Sequence, residues 1–232
     1  MDFVPRQPKP LPAAYFTLGS PSSANAAITV DARNLLMPHP FAPLLPDALR
    51  CTWREHHRGA PAEPLVRDWL AAELGCTGSD IVLTRDAHGR PRLAGLHAAF
   101  DVSWSHSGDG LLVALGAGVE VGVDLERLRP RPRALELAQR FFHAAEAAWL
   151  AGLPEGVRDI AFIRLWCAKE AVLKAHGRGI AFGLDKFELA EDLGALAMTS
   201  GPVDLGGPWS LREWEPRPGY RAALAWRPTT PL

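Results

Sequence analysis

The sequence predicts an α+β fold made of two roughly equal halves that meet near Gly118. Two observations favour strands that pair locally: residues 101–107 alternate in polarity, and a Gly-containing turn separates them from the apolar run 111–115. A third observation favours helices in separate runs, because apolar residues recur at helical spacing over 64–74 and again around Trp166. Strands and helices that follow one another in runs, rather than in strict alternation, are typical of the α+β class.

The N-terminal half is predicted over 13–117, after a flexible Pro-rich tail over 1–12. Its one clear helix, 64–74, carries a stripe of apolar residues and ends at Gly75. The sequence DVSWSHS alternates Val102 and Trp104 with serines, which predicts a half-buried strand in a hairpin with 111–115. Two shorter strands are predicted at 27–30 and 80–83.

The C-terminal half is predicted over 118–232. It begins with a strand at 119–125, because VEVGVDL is rich in β-branched residues. Helical spacing then predicts helices over 133–142 and 144–150, and a long helix around Trp166 that stops at the sequence GRG. After Gly179 the pattern becomes that of strands, which are predicted at 187–189, 209–214 and 220–225.

Composition excludes several classes of protein. The 232 residues carry a formal net charge of −1, so bulk charge does not indicate a partner such as nucleic acid or a membrane surface. Three widely spaced cysteines without a CxxC pair indicate reduced thiols and no zinc site. The first residues lack the apolar core of a signal peptide, and the longest apolar run, LLVALGAGV, is too short to cross a bilayer. We therefore expect a soluble cytoplasmic protein.

The long helix places charges where apolar residues should pack. In RLWCAKEAVLKAHGRG, residues 164–179, the side chains of Lys169, Glu170 and Lys174 project among bulky apolar neighbours. A charge on a packed face needs a partner, a metal or a ligand. The simpler alternatives are a surface pair between Glu170 and Lys174, and lysines whose ammonium groups reach water.

The segment GVDLE carries two carboxylates on one face of a predicted strand, since Asp124 and Glu126 are two residues apart. Two such groups repel each other unless a cation lies between them, and carboxylate oxygens suit Mg²⁺. Taken alone, the motif is more often a solvated strand end. Glu170 strengthens the metal interpretation because it would supply a third carboxylate.

Other polar residues fit phosphate binding less specifically. Ser105 and His106 lie at a strand end, where the alternatives are a structural histidine and a serine bonded to the next turn. Arg90 lies in the turn HGRP, where a guanidinium can bind phosphate bidentately, although most exposed arginines do not. A scatter of basic residues (Arg54, Arg58 and Arg67) also fits a solvated helix face.

These motifs together resemble the 4′-phosphopantetheinyl transferases, in particular the larger, surfactin-type class. The resemblance rests on GVDLE, on WCAKEAVLK with Glu170 placed 46 residues after Asp124, and on the RFF, HGRP and SWSHS segments. It extends from about residue 58 to residue 187. The sequence departs from the family pattern in having Arg90 for the usual lysine, GAPAE after Arg58, and VSW before the SHS motif.

The resemblance implies a pseudo-dimer of two similar α+β halves with coenzyme A in the cleft between them. It implies that Asp124, Glu126 and Glu170 hold Mg²⁺. By position in the motifs, the groups that contact coenzyme A would be Lys169 and Lys174 on the pyrophosphate, Ser105 and His106 at the nucleotide end, and Arg90 on the 3′-phosphate, with Arg58 beside them. Two halves in one chain also favour a monomer.

The reaction implied is transfer of phosphopantetheine from coenzyme A to a serine of an apo acyl or peptidyl carrier protein, with release of adenosine 3′,5′-bisphosphate. Glu170 is the candidate base, directly or through water, and Lys174 would steady the leaving phosphate. Asp124 would share the catalytic work through the metal. Two alternatives are a non-catalytic module that binds coenzyme A or a carrier protein, and a different Mg²⁺-dependent phosphate enzyme such as a nucleotide hydrolase.

Overall fold

Two small antiparallel sheets and one long helix organise the chain in its computed structural model, which describes residues 45–192 and 194–229. All of these residues belong to one compact unit. The elements in this part of the chain are, in order, β1 (Leu49–Glu55), α1 (Glu63–Leu74), β2 (Val82–Arg85), β3 (Pro91–Ala94), β4 (Phe100–Ser107), β5 (Gly110–Ala117), β6 (Val119–Arg127), α2 (Ala134–Phe141), α3 (Ala144–Gly152), α4 (Glu155–His176), β7 (Glu188–Asp192), β8 (Ala195–Ser200), β9 (Ser210–Trp214) and β10 (Tyr220–Pro228).

The first three-stranded sheet has the strand order β1-β5-β4, and the second has the order β6-β10-β9. Each pairing is antiparallel; in the second sheet Asp124 lies opposite Ala223 and Glu126 opposite Arg221. Two further hairpins, β2-β3 and β7-β8, complete the strand pairing. The edge strands β4 and β6 lie against each other without a main-chain ladder between them.

Helix α4 packs on β6 and β10 and is buried on nearly every side from Ala161 to Ala175. The contact with β6 is close at Gly122, where an added Cβ would overlap the backbone of Ala171 and Ala175. Small residues on both elements therefore bring the helix down onto the strand. Asp124 and Glu126 follow Gly122 on the same face of β6, so the close packing also sets their distance from α4.

The burial of α4 corrects one detail of the sequence analysis. The face with Ala168, Ala171 and Ala175 was expected to be the outer one, yet these residues are fully buried. Arg164 on the same side is buried too, and its guanidinium donates to the carboxylates of Glu191 and Glu213. Alanines are equally suited to an exposed face and to tight packing against a sheet, so the sequence pattern alone does not separate the two.

The α+β class is confirmed, and most elements lie close to their predicted positions. Helix α1 and the β4-β5 hairpin match to within one or two residues at most ends. The strand predicted at 80–83 begins instead at Val82, because residues 78–80 form a 3₁₀ turn capped by Thr77 and Asp80. Strands β1, β3 and β8 were not predicted. The predicted tail (1–12) and strand (27–30) lie outside the described residues.

No helix in the described ranges combines the length and the apolar character that crossing a bilayer requires.

Candidate active site

Three carboxylates and one ammonium group meet where β6 passes under the C-terminal half of α4. Asp124 and Glu126 extend from β6, while Glu170 and Lys174 lie one turn apart on α4. The ammonium nitrogen of Lys174 lies 2.7 Å from Asp124 Oδ1. The structure thus brings together the predicted metal ligands and one of the two predicted lysines.

Two buried carboxylate oxygens in this group, Asp124 Oδ2 and Glu170 Oε1, have no hydrogen-bond partner among the described residues. Burial, followed by the charge of Asp124, raises the pKa of Glu170 to about 7. The same two causes raise the pKa of Glu126. The protein alone therefore does not balance the negative charge that it gathers here, and a cation would.

The group is not a finished metal cage. In residues 45–192 and 194–229, no three His, Cys, Asp or Glu side chains converge closely enough to hold an ion as they stand. Mg²⁺ does not require such a cage, since it is usually bound by one or two carboxylates together with waters and substrate phosphate. The unpaired oxygens of Asp124 and Glu170 fit that kind of site better than one closed by protein ligands alone.

The Cys167 thiol lies below the carboxylates, where burial and then the charge of Asp124 raise its pKa well above the usual range. It also points at the carbonyl oxygen of Arg221, 3.6 Å away. A neutral thiol is a weak donor and offsets little of the carboxylate charge.

A cavity of about 250 Å³ opens beside Lys174. Its walls come from the turn before β3, from β4 and from the end of α4, and include Arg85, His88, Arg90, Trp104, Lys174 and Gly177. The guanidinium of Arg85 lies 5.8 Å from the centre of the Trp104 ring. Basic and aromatic walls next to a carboxylate cluster suit an anionic ligand that has a flat apolar part.

Arg90 lines this cavity but is largely occupied by protein groups. Its Nε donates to the carbonyl of Lys174, and its Nη2 donates to the carbonyl of Val121 and to Asp101. Only Nη1, which is buried, lacks a partner in the described structure. If Arg90 contacts a phosphate, as the sequence analysis expected, Nη1 is the group left to do so.

The SHS motif lies directly beside the carboxylates. The Ser105 hydroxyl donates to Asp124 Oδ1 over 2.8 Å, and the Ser107 hydroxyl donates to Glu126 Oε2 over 3.3 Å. His106 points the other way, where its exposed ring stacks on buried His56 with centroids 4.8 Å apart. Burial, His56 and Lys174 together lower the pKa of His106.

Two residues of the predicted ligand-binding set lie elsewhere. Arg58 is exposed on the turn after β1. Lys169 is fully buried: its ammonium lies 2.8 Å from Glu146 Oε1 and donates to the carbonyls of Leu184 and Phe187. The expectation that Lys169 contacts pyrophosphate does not fit this position, because Lys169 and Lys174, five residues apart, leave the helix on different sides.

Several neighbours of the site were missed from the sequence. Glu146 was not identified as the partner of Lys169, and Ser107 was not identified as a contact of Glu126. The spacing of Asp101, Ser103, Ser105 and Ser107 held a signal, since four polar residues at period two on an apolar strand indicate a polar partner. Nothing local indicated Glu146, which lies 23 residues from Lys169.

Comparison with known proteins places these features in a family. The family model for the 4′-phosphopantetheinyl transferase superfamily matches residues 120–225, which include the carboxylate cluster. The 4′-phosphopantetheinyl transferase HetI of Nostoc is 33% identical over 190 residues, a match that covers 78% of either chain. The chain belongs to the 4′-phosphopantetheinyl transferase superfamily.

Two further relatives of the superfamily agree. The 4′-phosphopantetheinyl transferase Sfp of Bacillus subtilis is 29% identical over 169 residues, which cover 72% of this chain and 73% of Sfp. A putative 4′-phosphopantetheinyl transferase of Synechocystis is 38% identical over 131 residues; there the chain spans about half (52%) of the relative's length. The protein is thus a member of a family of transferases.

Proposed function

We propose that this chain transfers the 4′-phosphopantetheine group of coenzyme A to a serine of an apo acyl or peptidyl carrier protein. The observation that carries the proposal is the group of three carboxylates and Lys174 at the junction of β6 and α4, beside a cavity with basic walls. Membership of the superfamily supports it, since relatives such as HetI and Sfp are named 4′-phosphopantetheinyl transferases.

In the proposed reaction the carrier serine oxygen forms a bond to the β-phosphorus of coenzyme A. The bond from that phosphorus to the bridging oxygen of the pyrophosphate breaks, and adenosine 3′,5′-bisphosphate leaves with the electron pair. The serine proton passes to Glu170, directly or through a water. Glu170 is suited to accept it because its buried Oε1 has no hydrogen-bond partner among the described residues.

Asp124, Glu126 and Glu170 are the residues that would hold Mg²⁺, and the unpaired oxygens of Asp124 and Glu170 support that assignment. A bound Mg²⁺ would neutralise charge on the reacting phosphate. Lys174 extends from the same group to the cavity wall, so it is placed to contact the pyrophosphate and steady the leaving phosphate. Lys169 is not proposed as a contact of the pyrophosphate, because its ammonium group is buried against Glu146.

The nucleotide end of coenzyme A is proposed to occupy the cavity. Arg90 lines the cavity and remains a candidate contact through Nη1. His106, which stacks on His56, and Arg58, on the turn after β1, are proposed as contacts of a part of coenzyme A that extends beyond the cavity. Arg85 and Trp104 add a basic and an aromatic surface to the same wall. Such surfaces favour a phosphorylated nucleoside over an apolar ligand.

The pseudo-dimer is part of the proposal, with the N-terminal half over 13–117 and the C-terminal half over 118–232. It is supported by the sheets: all strands of β1-β5-β4 precede Gly118, and all strands of β6-β10-β9 follow it.

A monomer is proposed because one chain supplies both halves. A cytoplasmic location is proposed because Cys51, Cys76 and Cys167 are free thiols.

Intact-mass spectrometry of an apo carrier protein tests the proposal. The carrier is incubated with this protein, coenzyme A and Mg²⁺, with an EDTA control and a Glu170→Gln control. We expect the carrier to gain one phosphopantetheine, and expect EDTA or the Glu170→Gln change to remove most of the gain. Normal turnover by a folded Glu170→Gln protein would refute the role of Glu170.

Carrier proteins of fatty-acid, polyketide and nonribosomal peptide synthesis should all be tried. If no carrier protein gains mass while coenzyme A still binds, the chain is better explained as a non-catalytic binding module than as a transferase. If ATP stabilises the protein with Mg²⁺ and coenzyme A does not, the nucleotide hydrolase replaces both.

A further inference from the structure

One face of β4 meets the free edge of β6 through a regular series of polar side chains. Asp101 and Ser103 accept hydrogen bonds from the main-chain N–H groups of Val121 and Val123, over 2.7 and 3.1 Å. Further along, Ser107 accepts from the N–H group of Arg127 over 3.1 Å. Since β6 pairs with β10 on its other side, these side chains satisfy the edge that the sheet leaves open.

Two members of the series also reach side chains. The hydroxyl of Ser105 donates to Asp124 Oδ1, and that of Ser107 donates to Glu126 Oε2. Ser105 and Asp124 are each less than 10% exposed. Ser103 has the same orientation two residues earlier, yet it contacts only a main-chain amide in this series. Two serines of β4 therefore donate to carboxylates, while Ser103, on the same face, does not.

The bond from Ser105 restricts what else that serine can do. A hydroxyl has one proton to donate, and an anionic phosphate requires a donor. In the structure that proton is directed at Asp124. This differs from the nucleotide contact expected for Ser105 from the sequence.

The same bond orients Asp124. Its Oδ1 accepts from Ser105 and from Lys174, which fixes the carboxylate plane and leaves Oδ2 as the oxygen without a partner in the described residues. Glu126 is held similarly, because its Oε2 accepts from Ser107 and from Arg131. A cation site works only when its ligands hold the right direction, which neighbours that donate to those ligands provide.

We propose that Ser105 and Ser107 are positioning residues that orient Asp124 and Glu126 for the cation. This rests on the proposed function, because it takes the carboxylate cluster as the cation site. The two hydroxyls replace part of the solvation that the carboxylates lose on burial. They also reduce the number of rotamers from which the ligands must be selected when the cation binds.

The test measures binding of Mn²⁺ to the full, metal-free chain with saturating coenzyme A, against coenzyme A alone, by the loss of the free Mn²⁺ electron paramagnetic resonance signal. Variants Ser105→Ala and Ser107→Ala are compared with the matched control Ser103→Ala. We expect Ser103→Ala to bind Mn²⁺ as the wild type does, and each of the other two to bind several-fold more weakly. Ser105→Thr, which keeps the hydroxyl, should recover most of the affinity.

Thermal unfolding of each variant separates orientation from general loss of stability. Ser103→Ala and Ser105→Ala each remove one buried hydrogen bond, so similar shifts in midpoint are expected while Mn²⁺ affinity differs. Equal Mn²⁺ affinity in these two variants would overturn the inference. So would a loss of coenzyme A affinity in EDTA for Ser105→Ala alone, because that result identifies a nucleotide contact.

Failure of the proposed function gives a different result. If the wild-type protein with coenzyme A binds no more Mn²⁺ than coenzyme A alone, or if Glu170→Gln binds it unchanged, the cation site itself is wrong and the inference falls with it. If the wild type binds, Glu170→Gln does not, and the serine variants all match the wild type, only the positioning role is wrong.

Discussion

Lys169 shows how much a single residue's role depends on its surroundings. It neighbours Glu170 in the sequence, but its ammonium is enclosed by Glu146, two carbonyl groups and the ring of Phe187, 4.1 Å from the ring centre. Burial lowers the pKa of Lys169 and raises that of Glu146, so each charge depends on the other. Glu146 also accepts from the amides of His143 and Leu189, which ties α3 to β7.

Replacing Lys169 with Met should lower the free energy of unfolding by about 3–5 kcal/mol, because it leaves the Glu146 carboxylate buried without a countercharge. Urea denaturation measures this loss. The double variant Lys169→Met with Glu146→Gln should recover part of the stability, since Gln keeps an acceptor for the amides without a charge. A refolded double variant that no longer binds coenzyme A would show that Lys169 does contact the ligand.

At the scale of elements, the approach of α4 to β6 determines where the carboxylates meet. Gly122 allows that approach because its place under the helix has no room for a Cβ. The strand supplies Asp124 two residues later, and the helix supplies Glu170, whose pKa the charge of Asp124 helps to raise. A shift of either element would separate the two unpaired carboxylate oxygens.

Gly122→Ala should therefore destabilise the protein by about 2–3 kcal/mol, as expected for overpacking against backbone that cannot move easily. Its control is Gly156→Ala in the first turn of α4, where an added Cβ meets nothing within 4 Å and helix propensity favours alanine. Denaturant unfolding should show a loss for the first variant and none for the second. Equal stability of the two would mean that α4 is not held closely on β6.

Arg90 connects elements that are distant in the sequence, namely β4 through Asp101, β6 through Val121 and α4 through the carbonyl of Lys174. Arg90→Lys keeps the charge but loses most of these bonds, so we expect a loss of about 2 kcal/mol in stability. Chemical denaturation reports that change.

Ligand binding tests a second role of Arg90, which is contact with the 3′-phosphate of coenzyme A. If Nη1 contacts the 3′-phosphate, Arg90→Ala should weaken coenzyme A more than 3′-dephospho-coenzyme A, while Arg90→Lys keeps most of the preference. Titration calorimetry measures both ligands. An equal loss for the two ligands would remove Arg90 from the 3′-phosphate and leave it as a connection between elements.

The elements that the sequence predicted well are those with strong local patterns. Helix α1 and strands β4 to β6 have clear periodicity and Gly-containing turns, so their positions follow from the chain itself. Strand β1 was missed although LRCTWRE alternates apolar Leu49, Cys51 and Trp53 with polar residues, which is the period of a half-buried strand. Its pairing with β5 defines it in the structure. The partners of Lys169 and Arg90 depend on tertiary packing, which no local pattern contains.

For the whole molecule, the carboxylate cluster makes stability depend on pH. The pKa of Glu170 is raised from 4.5 to about 7 in the folded protein, so the folded state binds that proton more tightly than the unfolded chain does. Stability of the metal-free protein should then fall as pH rises through this window, by up to about 3 kcal/mol from Glu170. Glu126, whose pKa is also raised, changes stability in the same direction.

Urea unfolding in EDTA at pH 5.5 and pH 8 measures this dependence. The variant Glu170→Gln should be more stable than the wild type at pH 8 and similar to it at pH 5.5. Added Mg²⁺ should stabilise the wild type at pH 8 and have less effect on the variant. If the stability of the wild-type protein in EDTA is the same at both pH values, protein groups already balance the negative charge of the carboxylates, and this prediction is wrong.

The side-chain contacts between β4 and β6 have a consequence for amide hydrogen exchange. The amides of Val121, Val123 and Arg127 are bonded to side chains of β4 rather than to a neighbouring strand. Their exchange with deuterium therefore requires only that β4 and β6 separate, while amides within each sheet exchange when that sheet opens. Three backbone positions thus report how often the two sheets part, independently of the unfolding of either.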